Sequence, residues 1–276
     1  MSNSIYVTGI TGFIGSNLLP LLLNKYDYVI NFSRDNLIEE YSKSGVKKKD
    51  IRDFYNKKYI GNFFINLATT YNPNPKNIDE FYSIIDSNIN FPISLIEKFE
   101  FIRDLKMINT SSYFQLLDPS IQNEYSLSKE IFINFAYKIF DEVANIHLFD
   151  TFGNNDKRNK VVDVFIKNIK NNKPIVIPEN EININLSNVD DVVFSIAENL
   201  NIMKYGNFII RSENNITLCN LAKKLSELMG KEVEIVRSKS SLDYLSNLKT
   251  DLINIYSKKI KLTFDEQLMN QIKNHI

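Results

Sequence analysis

The sequence predicts an α/β protein, a doubly wound parallel sheet followed by a smaller C-terminal lobe. Three observations predict it. Short apolar runs alternate with longer amphipathic stretches through the first half of the chain. A glycine-rich turn, TGITGFIG at 8–15, follows the first apolar run and opens the first helical pattern. The 276 residues suffice for one large α/β unit with a lobe attached.

The elements follow in order. SIYVTGI reads as a buried strand, and FIGSNLLPLLLNK after it as a helix, with Pro20 inside to kink it or remove one hydrogen bond. YDYVINFSR is a second strand. A polar, lysine-rich stretch runs from Asp35 to near Lys58, and its KKKD reads as a solvated turn. GNFFINLATT is a strand that ends in the loop YNPNPKN. A long helix is expected from Ile78 to Phe99, then the strand LKMINTSS. Apolar residues at 131, 132, 135, 136 and 139 give SLSKEIFINFAYKIF a helical spacing. ANIHLFDTFG closes the alternation as a strand, and strands alternating with helices imply parallel pairing.

The rhythm changes after residue 151. NNDKRNK is a polar loop, VVDVFIKNIKNNKP a helix, IVIPENEININLSNVDD short strands and a loop, and VVFSIAENL a helix. GNFIIRSE is a strand, and TLCNLAKKLSELMG a helix opened by a threonine cap.

Composition excludes several classes. Lysine plus arginine equals aspartate plus glutamate, 33 each, so nothing marks a nucleic-acid or anionic-membrane partner. No apolar run approaches the roughly 20 residues that span a bilayer. MSNSIYVTGI enters a strand pattern at once, without a signal peptide. A single cysteine, Cys219, excludes a disulfide framework, and His147 and His275 stand alone in sequence. The expectation is a cytoplasmic protein that holds no metal.

In the glycine turn, Gly9, Gly12 and Gly15 meet three needs. The chain must turn, the backbone must approach a pyrophosphate, and the helix must pack on the strand with its N-terminus at the phosphates. This is the pattern of a Rossmann-type dinucleotide site. An acidic residue at the end of the second strand would read a ribose hydroxyl. Here Ser33 and Arg34 stand there, and both suit a 2′-phosphate. NADP(H) is the expected cofactor, while Asp35 next door keeps NAD(H) open.

Tyr125 and Lys129, in EYSLSKE, lie four apart and share a helix face. A phenol near an ammonium ionises more readily, so Tyr125 is expected to be a proton donor or acceptor with a lowered pKa.

With these motifs the chain resembles the extended short-chain dehydrogenase/reductase family, in its nucleotide-sugar epimerase/dehydratase branch. The resemblance covers residues 4 to 200 and rests on TGITGFIG, DIRD, NLATTY, DSNINFPISLIE, INTSS, YSLSK, FDTFGNND and VDDVV. It implies cofactor contacts from Gly9, Thr11, Gly12, Phe13, Ile14, Ser33, Arg34, Tyr125 and Lys129, adenine contacts from Asp50 with Ile51, and pyrophosphate-side contacts from Leu67, Ala68 and Thr69. Asn88 would support the active-site strand beside the cofactor. Thr110 would be the catalytic hydroxyl, with Ser111 and Ser112 as close alternatives, and Lys129 would hold the nicotinamide ribose. Thr70, Tyr71, Ser111, Ser112, Thr151 and Arg158 would meet the substrate.

Departures from the family pattern narrow the chemistry. The acid pair that dehydratases carry after the threonine is Ser111–Ser112 here, which argues against dehydration. INL at 184–186 stands where the family has RDF, so the diphosphate loses an arginine, and Arg158 is the candidate replacement. Within the branch the chain is similar to the CDP-abequose and CDP-paratose synthases, a group of compact C4-ketoreductases. The expected function is NADPH-dependent reduction of the C4 ketone of a nucleotide-linked deoxy sugar. Two alternatives stay open: a C4-epimerase that retains NAD, and a non-catalytic dinucleotide sensor. The resemblance also implies a homodimer. The expected division is a dinucleotide-binding domain over 1–155 with returning segments near 187–210, and a substrate-binding lobe over most of 156–276.

Overall fold

The structure, a computed structural model, describes residues 3–34, 37–50, 60–213, 215–245, 248, 250–258 and 262–275. β1 (Asn3–Thr8) leads through the glycine turn into α1 (Phe13–Lys25) and back to β2 (Tyr28–Phe32). A hairpin follows, β3 (Leu37–Ser42) and β4 (Gly45–Asp50), and then β5 (Ile60–Asn66). α2 (Ile78–Ile85) passes through a π-helical turn, Asp86–Asn90, into α3 (Phe91–Lys98). β6 (Lys106–Ser112), α4 (Glu124–Ile139) and β7 (Val143–Leu148) complete the alternation. The remainder comprises β8 (Asp150–Phe152), α5 (Val161–Lys170), β9 (Ile175–Pro178), β10 (Asn183–Ile184), β11 (Leu186–Asn188), α6 (Val189–Asn199), β12 (Gly206–Ile210), β13 (Ile216–Thr217), α7 (Leu218–Met229), β14 (Ile235–Ser238), β15 (Ile253–Asn254) and α8 (Phe264–Lys273).

Among the described residues nine strands form one sheet in the order β15-β12-β7-β6-β5-β1-β2-β3-β4, parallel from β15 to β2 and antiparallel over the β3–β4 hairpin. The predicted α/β Rossmann-type sheet with a smaller C-terminal lobe is the fold observed. The middle of β1 is an unbroken apolar run, Ile5-Tyr6-Val7, rather than an alternation. Ile5 and Val7 pack under α1 and α6 with Leu18, Leu22, Val192 and Ile196, while Tyr6 between them points to the opposite core with Phe64, Phe99 and Phe132. A strand covered on both faces has no polar side to show. The lobe has its own core, built from Phe152, Phe165, Ile166, Leu221, Leu225 and Leu268. Its last helix is pinned by Gln271, which donates to buried Asp163 at 2.7 Å, and Gln267, which donates to buried Asp191 at 3.1 Å.

Pro20 removes one N–H donor from α1, as expected, without ending the helix. Three local expectations change. KKKD is no solvated turn. It forms most of the edge strand β4, where Lys49 reaches buried Glu40 at 2.6 Å and Lys48 faces Glu39 at 3.5 Å. ANIHLFDTFG breaks at Phe149, so that β7 stays in the main sheet while β8 pairs in parallel with β11. α6 is capped by Asn188, which accepts from the Asp190 N–H at 2.9 Å, and the two aspartates lie inside its first turn.

One feature of the sheet has no periodic signature. Thr8, Asn66, Asn109, Asn145 and Asn207 are register partners on five adjacent strands. Their side chains hydrogen-bond in series across the sheet, at 2.7, 3.0, 2.8 and 2.9 Å. The amides satisfy one another, as buried polar groups must.

Candidate active site

The carboxyl ends of the parallel strands open into a cavity of about 1160 Å³. At one end lies the glycine turn. Gly9 holds φ +74°, and a Cβ there would stand 2.6 Å from the Ala68 nitrogen. Only glycine allows that turn to touch the end of β5. Gly12 is different: a Cβ on it would meet only the Gly9 carbonyl, at 3.2 Å, which leaves its outer side open. Gly12 is also the N-cap of α1, without a side-chain cap and with no acidic residue in the first turn. Free N–H groups at a helix start, with open space before them, fit a pyrophosphate. Thr11, Phe13, Ile14, Leu67 and Ala68 line this end.

Ser33 and Arg34 lie at the rim where β2 turns into β3. The Ser33 hydroxyl donates to the Leu37 carbonyl at 2.9 Å, and Arg34 is exposed. Asp50 ends β4 opposite Leu37 and is not among the cavity-lining residues, and Ile51 lies outside the described residues.

At the other end stand Tyr125 and Lys129. α4 begins at Glu124 under a capping box from Asn123 and Ser126, which places Tyr125 in its first turn. Both side chains are buried, the Lys129 ammonium donates to the Thr110 carbonyl at 2.7 Å, and it lies 5.7 Å from the Tyr125 ring centre. Burial pushes the Tyr125 phenol up from its usual value, against a smaller pull downward from its hydrogen bond with Thr69. Burial brings Lys129 down to about 8. The expected lowering of Tyr125 by Lys129 is therefore not found in the free protein. Desolvation dominates at Tyr125, and one of the three ammonium N–H groups of Lys129 goes to a backbone carbonyl.

The three hydroxyls at the end of β6 all line the cavity but differ in their commitments. Thr110 donates to the Asn66 carbonyl at 3.2 Å, and Ser111 donates to Asn145 at 2.6 Å. Ser112 accepts from the Phe114 N–H at 3.4 Å and donates to no protein group among the described residues. Of the three, its proton is the one that no protein group among the described residues accepts. Asn88 sits away from the cavity in the π-helical turn, a common device for aiming one side chain. It accepts from the Thr69 hydroxyl at 2.9 Å and the Thr70 N–H at 3.0 Å, and donates to Ser128 at 2.9 Å. It ties the end of β5 to α4 and so positions Tyr125. Thr70 is reached by Asn88 and does not line the cavity, whereas Tyr71 does, edge-on to Tyr125 at 5.0 Å between ring centres.

Arg158 lines the cavity, yet it is already engaged by Asp156 at 2.8 Å and the Thr151 carbonyl at 2.8 Å, and lies 4.2 Å from the Phe13 ring centre. Thr151 is buried in the cavity wall with its hydroxyl donated to the Phe149 carbonyl. Sequence reasoning missed Tyr113, Asp150 and Lys160, which stand in the same wall. Asp150 adjoins Thr151 in FDTFG, and that adjacency was the available signal.

Buried Lys129 and half-buried Lys160 give a pH expectation. Lys129 and Lys160 titrate near 8 in the folded protein and at 10.5 in the unfolded chain. Between those values the unfolded state holds more protons, so their contribution to stability rises with pH. Wild-type melting temperature is expected to gain on that of Lys129→Met as pH increases from 8 to 10, measured by thermal unfolding of the free protein. A gap that stays constant with pH would show that Lys129 titrates normally.

Comparison with known proteins follows the geometry. Residues 5–197 match the model of the NAD dependent epimerase/dehydratase family. A CDP-abequose synthase from Yersinia pseudotuberculosis is 29% identical over 206 residues, 70% of this chain and 71% of that protein. Among solved structures, the UDP-glucose 4-epimerase of Thermotoga maritima with UDP-glucose superposes with a TM-score of 0.72 at 20% identity, covering 99% of this chain and 98% of the other. The UDP-glucuronic acid 4-epimerase of Bacillus cereus, with UDP-glucuronic acid and NAD, gives 0.73 at 16% identity, covering 99% and 100%. That complex carries NAD, as do further neighbours of the same fold. This corrects the NADP(H) expectation. The Ser33 hydroxyl on which it leaned is spent inside its own turn, and NAD is the better supported dinucleotide. By the match over most of its length and by its fold, the chain belongs to the NAD dependent epimerase/dehydratase family, as a Rossmann-fold, dinucleotide-binding member related to CDP-abequose synthases.

Proposed function

We propose that the protein is a nucleotide-sugar C4-epimerase that retains NAD. One observation carries the reading: a single cavity joins the uncapped helix start at Gly12 to Tyr125, Lys129 and the uncommitted Ser112 hydroxyl. The fold neighbours that act as 4-epimerases support it. NAD, when bound, supplies the hydride acceptor and donor. The protein's own part is proton handling at the sugar oxygen. Tyr125 takes the proton of the C4 hydroxyl and returns it, Ser112 donates a hydrogen bond to the same oxygen, and Lys129 holds positive charge beneath the phenol. Thr69 and Asn88 fix the direction of Tyr125. A proton acceptor must itself be ionised, so the burial that raises Tyr125 in the free protein has to be offset in the loaded site, where the positive charge of an oxidised nicotinamide would add to that of Lys129.

A second reading, net reduction of a 4-keto nucleotide sugar by NADH, is favoured by the CDP-abequose synthases that the sequence matches. One experiment separates the two. The purified protein is denatured and its released dinucleotide identified, then CDP-, dTDP-, GDP- and UDP-linked sugars and their 4-keto forms are offered. Copurified NAD, with inversion at C4 and no net NADH oxidation, supports the epimerase. Stoichiometric NADH oxidation with a 4-keto sugar supports the reductase. Dinucleotide binding with no turnover on any member of the panel would sink both and leave a binding protein. In either reading the dinucleotide domain is taken as 1–155 with the returning segments near 187–210, and the rest of 156–276 as the substrate lobe.

The same reading includes a homodimer through α2 and α4. Leu127, Ile131 and Phe135 form an exposed apolar stripe along α4, beside exposed Ile78, Phe81 and Tyr82 of α2. Residues four apart on one helix make a continuous face, and such a patch marks an interface. Wild-type protein is expected to run as a dimer in light scattering, and Phe135→Glu as a monomer. A monomeric wild type would refute this. Among the described residues no helix is long and apolar enough to cross a membrane.

A further inference from the structure

The cavity holds a second pair of ionisable groups that the proton chemistry above does not use. Asp150 opens β8, where the chain leaves the main sheet, and Lys160 is the N-cap of α5. The Lys160 ammonium sits 3.6 Å from the Tyr71 ring centre, and Tyr71 in turn meets Tyr125 edge-on at 5.0 Å. The Lys160 ammonium makes no hydrogen bond or ion pair among the described residues, and the Asp150 carboxylate accepts none. Asp150 nonetheless feels Lys160, Arg158, Tyr71 and Tyr113 electrostatically, so it lies among them. Arg158, the nearest other cation, is spent on Asp156 and the Thr151 carbonyl.

Asp150 is half-buried and its carboxylate has no donor among the described protein groups, so it gains from a donor that a ligand brings. Burial raises its pKa and lowers that of Lys160 to about 8, which agrees with both groups lacking protein partners. Both groups line the cavity, and a ligand group that donates to Asp150 and accepts from Lys160 would satisfy them together. A phosphate oxygen only accepts, and it would face the carboxylate's charge. A hydroxyl does both and carries no charge. Resting on the nucleotide-sugar reading, we infer that Asp150 and Lys160 form a subsite that reads one ring hydroxyl of the sugar, on the side away from the carbon at Tyr125. The substrate class is thereby narrowed to nucleotide sugars that keep a hydroxyl at that position.

The step is one of recognition, and no bond forms or breaks. A site built to hydrogen-bond a hydroxyl rejects the analogue without it by far more than a hydrophobic pocket rejects a change of size. The test uses the NAD-loaded protein and titration calorimetry with UDP-glucose, CDP-glucose and the 2-deoxy, 3-deoxy and 6-deoxy analogue of whichever binds more tightly. One analogue is expected to bind at least about 100-fold more weakly than its parent and the other two within about tenfold. In Asp150→Ala the parent should weaken to the level of that analogue, so that the discrimination vanishes. Asp150→Asn, which keeps the shape, should restore part of it, and thermal melting of both variants checks that they fold. Equal binding of all three analogues, or discrimination that survives Asp150→Ala, overturns the inference. Since binding is read apart from turnover, a chain that discriminates but does not epimerise or reduce would defeat the proposed reaction and leave the subsite standing. If neither sugar nucleotide binds, both fall.

Discussion

Replacing Tyr125 with phenylalanine is expected to lower turnover by about 10²- to 10⁴-fold while NAD binding changes little. The ring is buried, at 6% exposure, and the substitution keeps its volume and its edge-on contact with Tyr71. What disappears is the phenol oxygen and its hydrogen bond with Thr69, on a ring whose centre lies 5.7 Å from the Lys129 ammonium. Hence the protein should still fold and melt as before, and only the proton transfer should fail. The hydroxyls of β6 provide the internal control. Ser112→Ala should lower turnover by more than Thr110→Val, because the Thr110 proton is engaged by the Asn66 carbonyl and the Ser112 proton is not. Turnover by Tyr125→Phe at the wild-type rate would remove Tyr125 from the chemistry. A larger loss from Thr110→Val would return the role to Thr110.

The second large effect is expected at Gly9. Its φ of +74° lies in the left-handed region, and a Cβ would stand 2.6 Å from the Ala68 nitrogen and 2.8 Å from the Leu67 carbonyl carbon. Gly9→Ala therefore carries about 1–2 kcal/mol of conformational strain and, in addition, a backbone overlap that only separation of the turn from β5 can relieve. That separation moves Gly12 and the start of α1, so NAD affinity should fall by more than tenfold. Gly230 makes the comparison clean. It holds φ +61° at the end of α7 with nothing within 4 Å of an added Cβ. Gly230→Ala should show the conformational part alone: a lowered melting temperature with NAD affinity unchanged. If the two variants bind NAD equally well, the turn is not the pyrophosphate site.

Much of this was legible in the sequence, for a physical reason. The alternation of apolar runs with amphipathic stretches, the glycine spacing and the four-residue step from Tyr125 to Lys129 are local, and local geometry follows from period and residue type. Elements that failed to be read had weaker local signals. β3 and β4 carry charged residues on an edge, where Glu39 lies opposite Lys48 and Glu40 reaches Lys49 diagonally. The apolar period that marks the other strands is missing there, because the pairing is between charges. NADP(H) was inferred from residue types at the end of β2, and the turn's own hydrogen bond to Leu37 had already taken the Ser33 hydroxyl.

By itself the sequence determined the α/β order, the glycine turn, the family, and the addresses of Tyr125, Lys129 and the hydroxyls after Asn109. The tertiary structure decided what those groups can do. It decided that burial raises the Tyr125 phenol in the free protein, that Ser112 is the hydroxyl left to a ligand, and that Asp150 and Lys160 share a wall with Tyr71. It also aligned Asn66, Asn109, Asn145 and Asn207, scattered over some 140 residues, into one hydrogen-bonded row. These are properties of which strands become neighbours and how far water is excluded between them. Desolvation and hydrogen-bond competition depend on partners distant in the chain, so residue type and spacing do not contain them.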